Sequence, residues 1–339
     1  MTKIIECVPN FSEGKDPAVF KLMAESVNKI KGAKLLGIEP DADYNRVVVT
    51  FAGDEKGILD GAVELSKTAA SCIDMREQKG EHPRIGAIDV VPFIPVKNSS
   101  MEECINISKE YGRIVSRELE TPVYLYEASS ERDYRKNLSD IRKGEYEGLK
   151  EKLKDDKWLP DFGEPVFNEK LGAVVTGARF FLIAYNVNLK TTDIRYAKEI
   201  AETLRESGRA KRDASGNIIK INGKTVKEPG RLKCFKGMGV NLPQYGITQV
   251  SINLINYKVT PLHVAFEEVK KEAARLGIET CGSEIIGLSP LEALLEAGRF
   301  YSGGKNYDET SLIEIAKDNL GLSTLNPFIN KSKIIDYMI

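Results

Sequence analysis

The sequence predicts an α+β protein built as two similar halves. Three observations carry that expectation. Short apolar runs alternate with stretches of helical periodicity along the whole chain. The first six elements follow the order strand, helix, strand, strand, helix, strand, which is the order of the ferredoxin-like split βαβ unit. The same rhythm restarts beyond a charge-rich interval near the middle. With 339 residues and 42% hydrophobic content the chain can bury a sizeable core, which rules out wholesale disorder.

Each element has its own signal. Residues 4–11 are apolar and run into Pro9, Asn10 and Gly14, so they read as a buried strand and a loop. Asp16 and Pro17 supply an N-cap and a first-turn proline. Ala18, Leu22, Val27 and Ile30 recur at roughly helical spacing, and Gly32 closes that helix. Residues 34–39 and 46–51 read as strands. Residues 57–73 read as a helix with Ala62, Leu65 and Ala69 on one face. A strand at 88–94, a helix at 101–119 and a strand at 123–126 follow. Residues 129–167 are charge-rich and read as a helical or irregular linker on the surface, placed at about 129–170. The second half gives a strand at 180–189, a helix at 193–205 and a hairpin at 218–226 turning on Asn222-Gly223. Strands at 232–240 and 248–255, a helix at 262–276, a strand at 278–288 and a helix at 290–300 complete it. The expected units are 1–178 and 179–339, with a ligand groove between them.

Composition excludes several classes. Lysine plus arginine number 49 against 50 aspartates and glutamates, so no charge excess points to nucleic acid or an anionic membrane. The five cysteines lie far apart, without a Cys-x-x-Cys pair, and read as reduced, buried thiols. The N-terminus meets Glu6 at once and is no signal peptide, and no apolar run approaches the roughly 18 residues of a spanning helix. A cytoplasmic location is expected. Only His82 and His263 are present, so a multi-histidine metal centre is not expected, and chemistry that needs an imidazole has two candidates.

Five stretches suit a site. In Lys79-Gly80-Glu81-His82-Pro83-Arg84-Ile85-Gly86 a loop histidine sits among a carboxylate, an arginine and two glycines, which suits acid/base work; an exposed helix-end histidine is the plainer alternative. Glu39-Pro40-Asp41-Ala42-Asp43-Tyr44-Asn45-Arg46 offers carboxylates to a cation or to His82, or is a solvated turn. Asn10-Phe11-Ser12-Glu13-Gly14 is a polar loop after a buried strand. Residues 172–180, with Gly177 and Arg179, read as a ligand loop but match neither phosphate-binding glycine motif. Asn186, Asn188 and Lys190, with Gln249, Ser251 and Asn253, put amides and hydroxyls on one face of neighbouring strands. His263, in the first turn of a helix, reads as structural.

Together these loops resemble the formiminotransferase family. The resemblance rests on Glu6-Cys7-Val8-Pro9-Asn10-Phe11-Ser12-Glu13-Gly14, Asn45-Arg46, Gly80-Glu81-His82-Pro83-Arg84 and Pro92-Phe93-Ile94-Pro95-Val96. It continues through Gly144-Glu145-Tyr146-Glu147, Trp158 with Pro160-Asp161-Phe162-Gly163, Gly177-Ala178-Arg179, Gln249-Val250-Ser251 and Gly282-Ser283. It implies two ferredoxin-like subdomains with a folate groove between them, a homodimer, and tetrahydrofolate as cosubstrate without a metal. It implies His82 as the catalytic histidine. It places folate on Gly163, Glu164, Pro165, Val166, Phe167, Asn168, Glu169, Lys170, Leu171 and Gly172. Mammalian members carry their supporting aspartate where Glu39 stands here, so Asp41 or Asp43 takes that role. The mammalian cyclodeaminase domain has no counterpart before Ile339, so a separate cyclodeaminase is an expected partner.

The implied reaction moves a formimino group from N-formimino-L-glutamate to N5 of tetrahydrofolate in histidine breakdown. One imidazole with a pKa near neutrality removes the N5 proton and returns a proton to the departing amine. Asp41 and Asp43 offset the amidinium charge. Arg46, Arg84, Arg179 and Lys190 meet the carboxylates of donor and folate, with Asn10, Ser12, Gly177, Asn186 and Asn188 as further contacts. The competing expectations are a 5-formyltetrahydrofolate-using formyltransferase or cyclo-ligase, and a folate-binding protein without catalysis.

Overall fold

The computed structural model describes residues 3–339 and is a mixed α+β structure of two compact units, one ending at Phe180 and one spanning Phe181–Met338.

The first unit runs β1 (Ile4–Cys7), β2 (Asn10–Phe11), α1 (Pro17–Asn28), β3 (Ala33–Asp41), β4 (Arg46–Gly53), α2 (Glu55–Cys72), β5 (Ile88–Lys97), α3 (Met101–Glu118), β6 (Val123–Glu127), α4 (Leu138–Arg142), α5 (Glu145–Lys152) and β7 (Val174–Ala178). Helices α1, α2 and α3 start where short polar side chains satisfy the free amides of the first turn. Asp16 accepts from Ala18 N, Asp54 accepts from Gly57 N, and Ser100 with Glu103 forms a reciprocal capping box. The apolar run 4–11 is one strand broken near Pro9, and both pieces pair antiparallel with β4 and β5. The sheet order is β3-β4-β1/β2-β5-β7-β6, with β5, β7 and β6 mutually parallel.

One face of this sheet packs Ile5, Cys7, Phe51, Phe93 and Val123 against α1, α2 and α3. The other face corrects the surface-linker expectation for 129–167. Ile141, Leu149 and Leu153 from that segment pack with Tyr124, Tyr126 and Val90 of the sheet. Arg135 is fully buried, pairs with Asp161 at 3.1 Å and lies over the rings of Tyr124, Tyr134 and Trp158. Charge-rich sequence had hidden an apolar stripe. Residues 172–180 are not a ligand loop either. Most of them form β7, a buried strand between β5 and β6, and a Cβ at Gly177 would meet Tyr126 O at 2.3 Å.

The second unit runs β8 (Ile183–Leu189), α6 (Ile194–Leu204), β9 (Arg209–Ala210), β10 (Lys220–Ile221), β11 (Lys224–Thr225), β12 (Lys227–Glu228), β13 (Phe235–Leu242), β14 (Ile247–Leu254), α7 (Leu262–Arg275), β15 (Thr280–Ile286), α8 (Leu291–Tyr301), α9 (Glu309–Leu320) and α10 (Asn330–Lys333). Its antiparallel sheet has the order β13-β14-β8-β15. That order matches β3-β4-β1-β5 element for element, with α6 and α7 in the places of α1 and α2. Strands β9 to β12 form two short pairs between α6 and β13. The tip of the outer pair turns on Asn222 (φ 49°) and Gly223 (φ 75°), the two left-handed residues of a type I′ turn. Helix α9 was not expected from the sequence. Asp308 caps it and Gly321 (φ 63°) ends it.

Candidate active site

In the first unit, the loop from α2 to β5 carries His82 and is tied down on both sides of it. Asn45, in the left-handed region at φ 47°, accepts from Gly14 N (2.9 Å) and donates to Gln78 Oε1 (2.6 Å) and Lys79 O (3.0 Å). Gln78 Nε2 in turn donates to Glu13 Oε2 at 3.1 Å. Beyond His82, Ile85 N donates to Asp89 Oδ1 (3.0 Å), and Ser12 Oγ donates to Gly86 O (2.8 Å). Gly80 and Gly86 serve packing rather than ligand approach. A Cβ at Gly80 would meet Tyr44 O at 2.4 Å, and one at Gly86 would meet Ala173 O at 2.2 Å.

His82 is half-buried, with Nε2 2.9 Å from Arg46 Nη1. A guanidinium only donates, so Nε2 accepts and the imidazole carries its proton on Nδ1. Burial, then the charges of Arg46 and Arg142, push its pKa down to about 4; a backbone hydrogen bond at Pro83 and the Asp41 charge oppose them. The resting histidine is therefore neutral well below pH 7, lower than the near-neutral value the chemistry had suggested.

The surrounding charges are layered. Arg46 stands opposite Asp41 in the β3–β4 register. Asp41 Oδ1 accepts from Asp43 N (3.0 Å) and Tyr44 N (2.9 Å), and the Tyr44 ring lies edge-on to His82 at 6.0 Å. Asp43 is exposed, and the Asp41 charge is among those that oppose the lowering at His82. Behind them Asp89, buried on β5, accepts from one guanidinium edge of Arg142 of α4, Nε donating to Oδ1 and Nη2 to Oδ2. Burial pushes the Asp89 carboxyl up against the pull of Arg142. The sequence reading missed Asp89 and Arg142. A lone carboxylate in the apolar run 88–94 was a usable signal for the first; Arg142, in a run of charges, gave none.

The other expected residues divide. Arg84 pairs with Glu147 (2.7 Å) and Glu145 (3.1 Å) of α5, so it braces the His82 loop instead of standing free. Arg179 donates to Phe180 O, and its charge opposes the burial that lifts Glu6 of β1 to about pKa 7. Asn10 donates to Val8 O, and Ser12 is buried in its bond to Gly86. Lys190 forms an exposed pair with Glu279. Residues 163–172 form a loop that is exposed from Gly163 to Val166 and buried at Leu171 and Gly172. Asn168 Oδ1 accepts from Lys170 N and Leu171 N, and Leu171 O accepts from Ala87 N at 2.9 Å. The structure thus joins the end of that loop, through Leu171 and Gly172, to the strand entry just past His82.

In the second unit, Asn186 and Asn188 of β8, Gln249 of β14 and Glu284 of β15 share one sheet face. Gln249 Nε2 donates to Asn188 Oδ1 and to Glu284 Oε1, both at 2.7 Å, and Asn186 Nδ2 donates to Glu284 Oε1 at 3.3 Å. His263 stacks on Phe300 at 4.4 Å with an unpartnered Nδ1, and burial lowers its pKa. Among the described residues no cluster of metal-ligating side chains is present, and no helix is long and apolar enough to cross a membrane.

Comparison with known proteins covers nearly the whole chain. The model of the formiminotransferase domain, N-terminal subdomain, matches residues 4–179, and that of the formiminotransferase domain matches 184–339. The chain is 46% identical to a formimidoyltransferase-cyclodeaminase of Dictyostelium discoideum over 342 aligned residues, covering all of this chain and 61% of that protein. It is 40% identical to a glutamate formimidoyltransferase of Streptococcus pyogenes serotype M1, covering 91% of this chain and 96% of that one. A glutamate formimidoyltransferase of Thermoplasma acidophilum is 39% identical, with 92% and 96% covered.

Proposed function

The chain belongs to the formiminotransferase family, and from that premise we propose that it transfers the formimino group of N-formimino-L-glutamate to N5 of tetrahydrofolate, in histidine breakdown. The observation that carries this is a neutral, half-buried His82 whose acceptor nitrogen faces a cationic side chain. Two relatives of nearly the same extent named glutamate formimidoyltransferase support it.

The bond from N5 to the formimino carbon forms and the bond from that carbon to the glutamate nitrogen breaks. His82 Nε2 takes the N5 proton and delivers a proton to the departing amine. In the resting site Arg46 occupies Nε2. A donor carboxylate that draws Arg46 toward itself frees the lone pair and removes the charge that holds the imidazole pKa down. Binding the anionic donor thus arms the base. Asp41, through its charge, stabilises the imidazolium and the amidinium carbon.

Further parts of the proposal follow the family. Tetrahydrofolate is the cosubstrate and contacts the loop Gly163 to Gly172. Each unit is a ferredoxin-like fold, which the matching β-α-β-β-α-β order and strand order support. The protein works as a cytoplasmic homodimer, and a cyclodeaminase activity removes ammonia from the product. The test of the reaction is to mix purified protein, tetrahydrofolate and N-formimino-L-glutamate and follow the ultraviolet change of the folate product. Turnover supports the transferase. No product, with turnover of 5-formyltetrahydrofolate instead, makes it a formyl-using enzyme. Folate binding without either reaction makes it a carrier.

A further inference from the structure

The even charge of the whole chain conceals one strongly basic element in the second unit. Residues 211–227 hold five cations, Lys211, Arg212, Lys220, Lys224 and Lys227, against one carboxylate, Asp213. That is a net charge of +4 in a chain whose total is −1, so everything outside the stretch sums to −5. At its base the cations are neutralised: Arg209 pairs with Glu199, Arg231 with Glu268 and Glu272, and Lys233 with Glu206. Among the described residues, none of the five cations of the hairpin itself pairs with a carboxylate, and all five are exposed. Asp213 closes its own turn, with Oδ1 accepting from Ser215 N and Asn217 N, both at 2.9 Å. The same stretch exposes two isoleucines, Ile218 at 43% and Ile221 at 62%. Each stands opposite a cation: Ile221 faces Lys224 across β10 and β11, and Ile218 faces Arg212 across an isolated bridge. Lys220, opposite Thr225, lies on the reverse face of the ribbon, so cations flank both faces. Ile221 runs straight into the Asn222-Gly223 tip. A Cβ on Gly223, or on Gly216 of the second turn, would meet nothing within 4 Å.

We propose that residues 211–227 are a peripheral anchor for an anionic phospholipid surface. The hairpin enters the headgroup layer tip first, with Ile218 and Ile221 at its apolar margin and the lysines on the headgroup charges. Lysine suits this place, because its apolar stem lies along the acyl boundary while the ammonium stays in water. The strands next to the tip bond to each other, so a shallow entry strands few backbone groups. The distribution of charge separates this occupant from two others. A protein partner covers one face of a ribbon and leaves the cations of the other face in water. A headgroup layer entered from the tip meets both. A nucleic acid offers phosphates to the lysines, but residues 211–227 contain no aromatic side chain on which a base could stack, and the leading isoleucine meets only charged backbone. The proposal is independent of the transferase reading, since none of these residues belongs to the site around His82. It gives the protein a place to work rather than a second reaction.

The test is co-sedimentation of the intact protein with vesicles of phosphatidylcholine alone or of phosphatidylcholine and phosphatidylserine in equal parts. The wild type should bind the mixed vesicles at low salt, leave them at high salt and ignore phosphatidylcholine. Lys220→Gln combined with Lys224→Gln should lower partitioning about 30-fold, the factor to which two cations at about 1 kcal/mol each amount. Ile218→Ser combined with Ile221→Ser should lower it about 10-fold through lost apolar burial and leave its salt dependence as in the wild type. A shortened protein, in which Asn-Gly joins Ala210 to Lys227, should not bind at all. Each variant should keep the wild-type circular dichroism spectrum, because the altered side chains are exposed. No binding of the wild type to the mixed vesicles overturns the proposal, as does undiminished binding of the shortened protein. Isoleucine variants that bind like the wild type reduce the effect to unspecific charge attraction and overturn the anchor. If a duplex oligonucleotide binds the hairpin and the mixed vesicles do not, the surface serves nucleic acid instead.

Discussion

The two units share one strand order and use its sheets differently. In the first, ionisable groups gather at the site: His82, Arg46, Asp41, and the buried pair of Asp89 and Arg142. In the second, the corresponding sheet carries amides, with Glu284 the one carboxylate among Asn186, Asn188 and Gln249. Ionisable groups packed together shift each other's proton affinities, as at His82. Amides hold fixed donors and acceptors over the whole working pH range. The same strand order therefore carries interacting ionisable groups in one unit and a fixed amide network in the other.

The sharpest way to break that division is His82→Ala. Positioned proton transfer is worth about 10²–10⁴-fold, so kcat for formimino transfer should fall by that factor. Folate affinity, measured by equilibrium binding, should stay within a fewfold. Equal losses in rate and folate affinity would mean that His82 binds rather than transfers.

Asp89→Ala attacks the next layer. It leaves Arg142, 14% exposed, without its partner and Ile85 N without its acceptor. Breaking a buried pair by removing one side costs about 3–5 kcal/mol, to be read as a lowered urea midpoint. Its counterpart in the second unit is neutral. Ser283 Oγ, wholly buried, accepts from Tyr185 OH (2.9 Å) and donates to Leu320 O (2.6 Å). Ser283→Ala should cost about 1–3 kcal/mol. A larger loss at Ser283 than at Asp89 would show that charge is not what the first unit stakes its stability on.

The pH response separates the units more finely. With two histidines in the chain, imidazole proton resonances are easily assigned by comparison with His82→Ala. His82 in the free protein should titrate near pH 4 and stay neutral above it, because burial and two arginines disfavour its charged form. Saturating N-formimino-L-glutamate should move that midpoint up, as its carboxylates offset Arg46. A free-protein midpoint at the ordinary histidine value would remove Arg46 from the mechanism.

How much of this was legible depended on local signals. Strands and capped helices were readable because period and cap chemistry are local: Asp16-Pro17 and Asn222-Gly223 sit where their residue types required. The His82 loop was readable as polar and glycine-bearing, yet its glycines turned out to accommodate backbone, which no single-chain pattern displays. Residues 129–167 misled because Arg135 is buried by groups that the same segment folds back onto it, the Trp158 ring, Lys157 O and the Asp161 carboxylate. The pairing of Asp89 with Arg142 spans distant positions, and only folding brings them together. Asn188 was visible as an odd asparagine on a strand, but the amide network it joins is a property of three strands in register.

The smallest effect is expected where the units differ most in outline. The first unit passes from α1 to β3 through a short turn, whereas the second inserts β9 to β12 between α6 and β13. Strands β9 and β12 pair directly, with Lys227 opposite Ala210. Joining Ala210 to Lys227 through Asn-Gly in place of residues 211–226 closes a two-residue hairpin in the same register, because that dipeptide accepts the left-handed turn a twisted hairpin needs. Most residues of the excised stretch are exposed, including Ile221 at 62%. Shortening it changes chain entropy slowly, by about 0.6 kcal/mol per halving of loop length, so the unfolding free energy read from urea titration should change by less than about 2 kcal/mol. Turnover and folate affinity should stay within twofold. A loss of folate binding in the shortened protein would place part of the folate site on the hairpin, and the equivalence of the two units would then end at their topology.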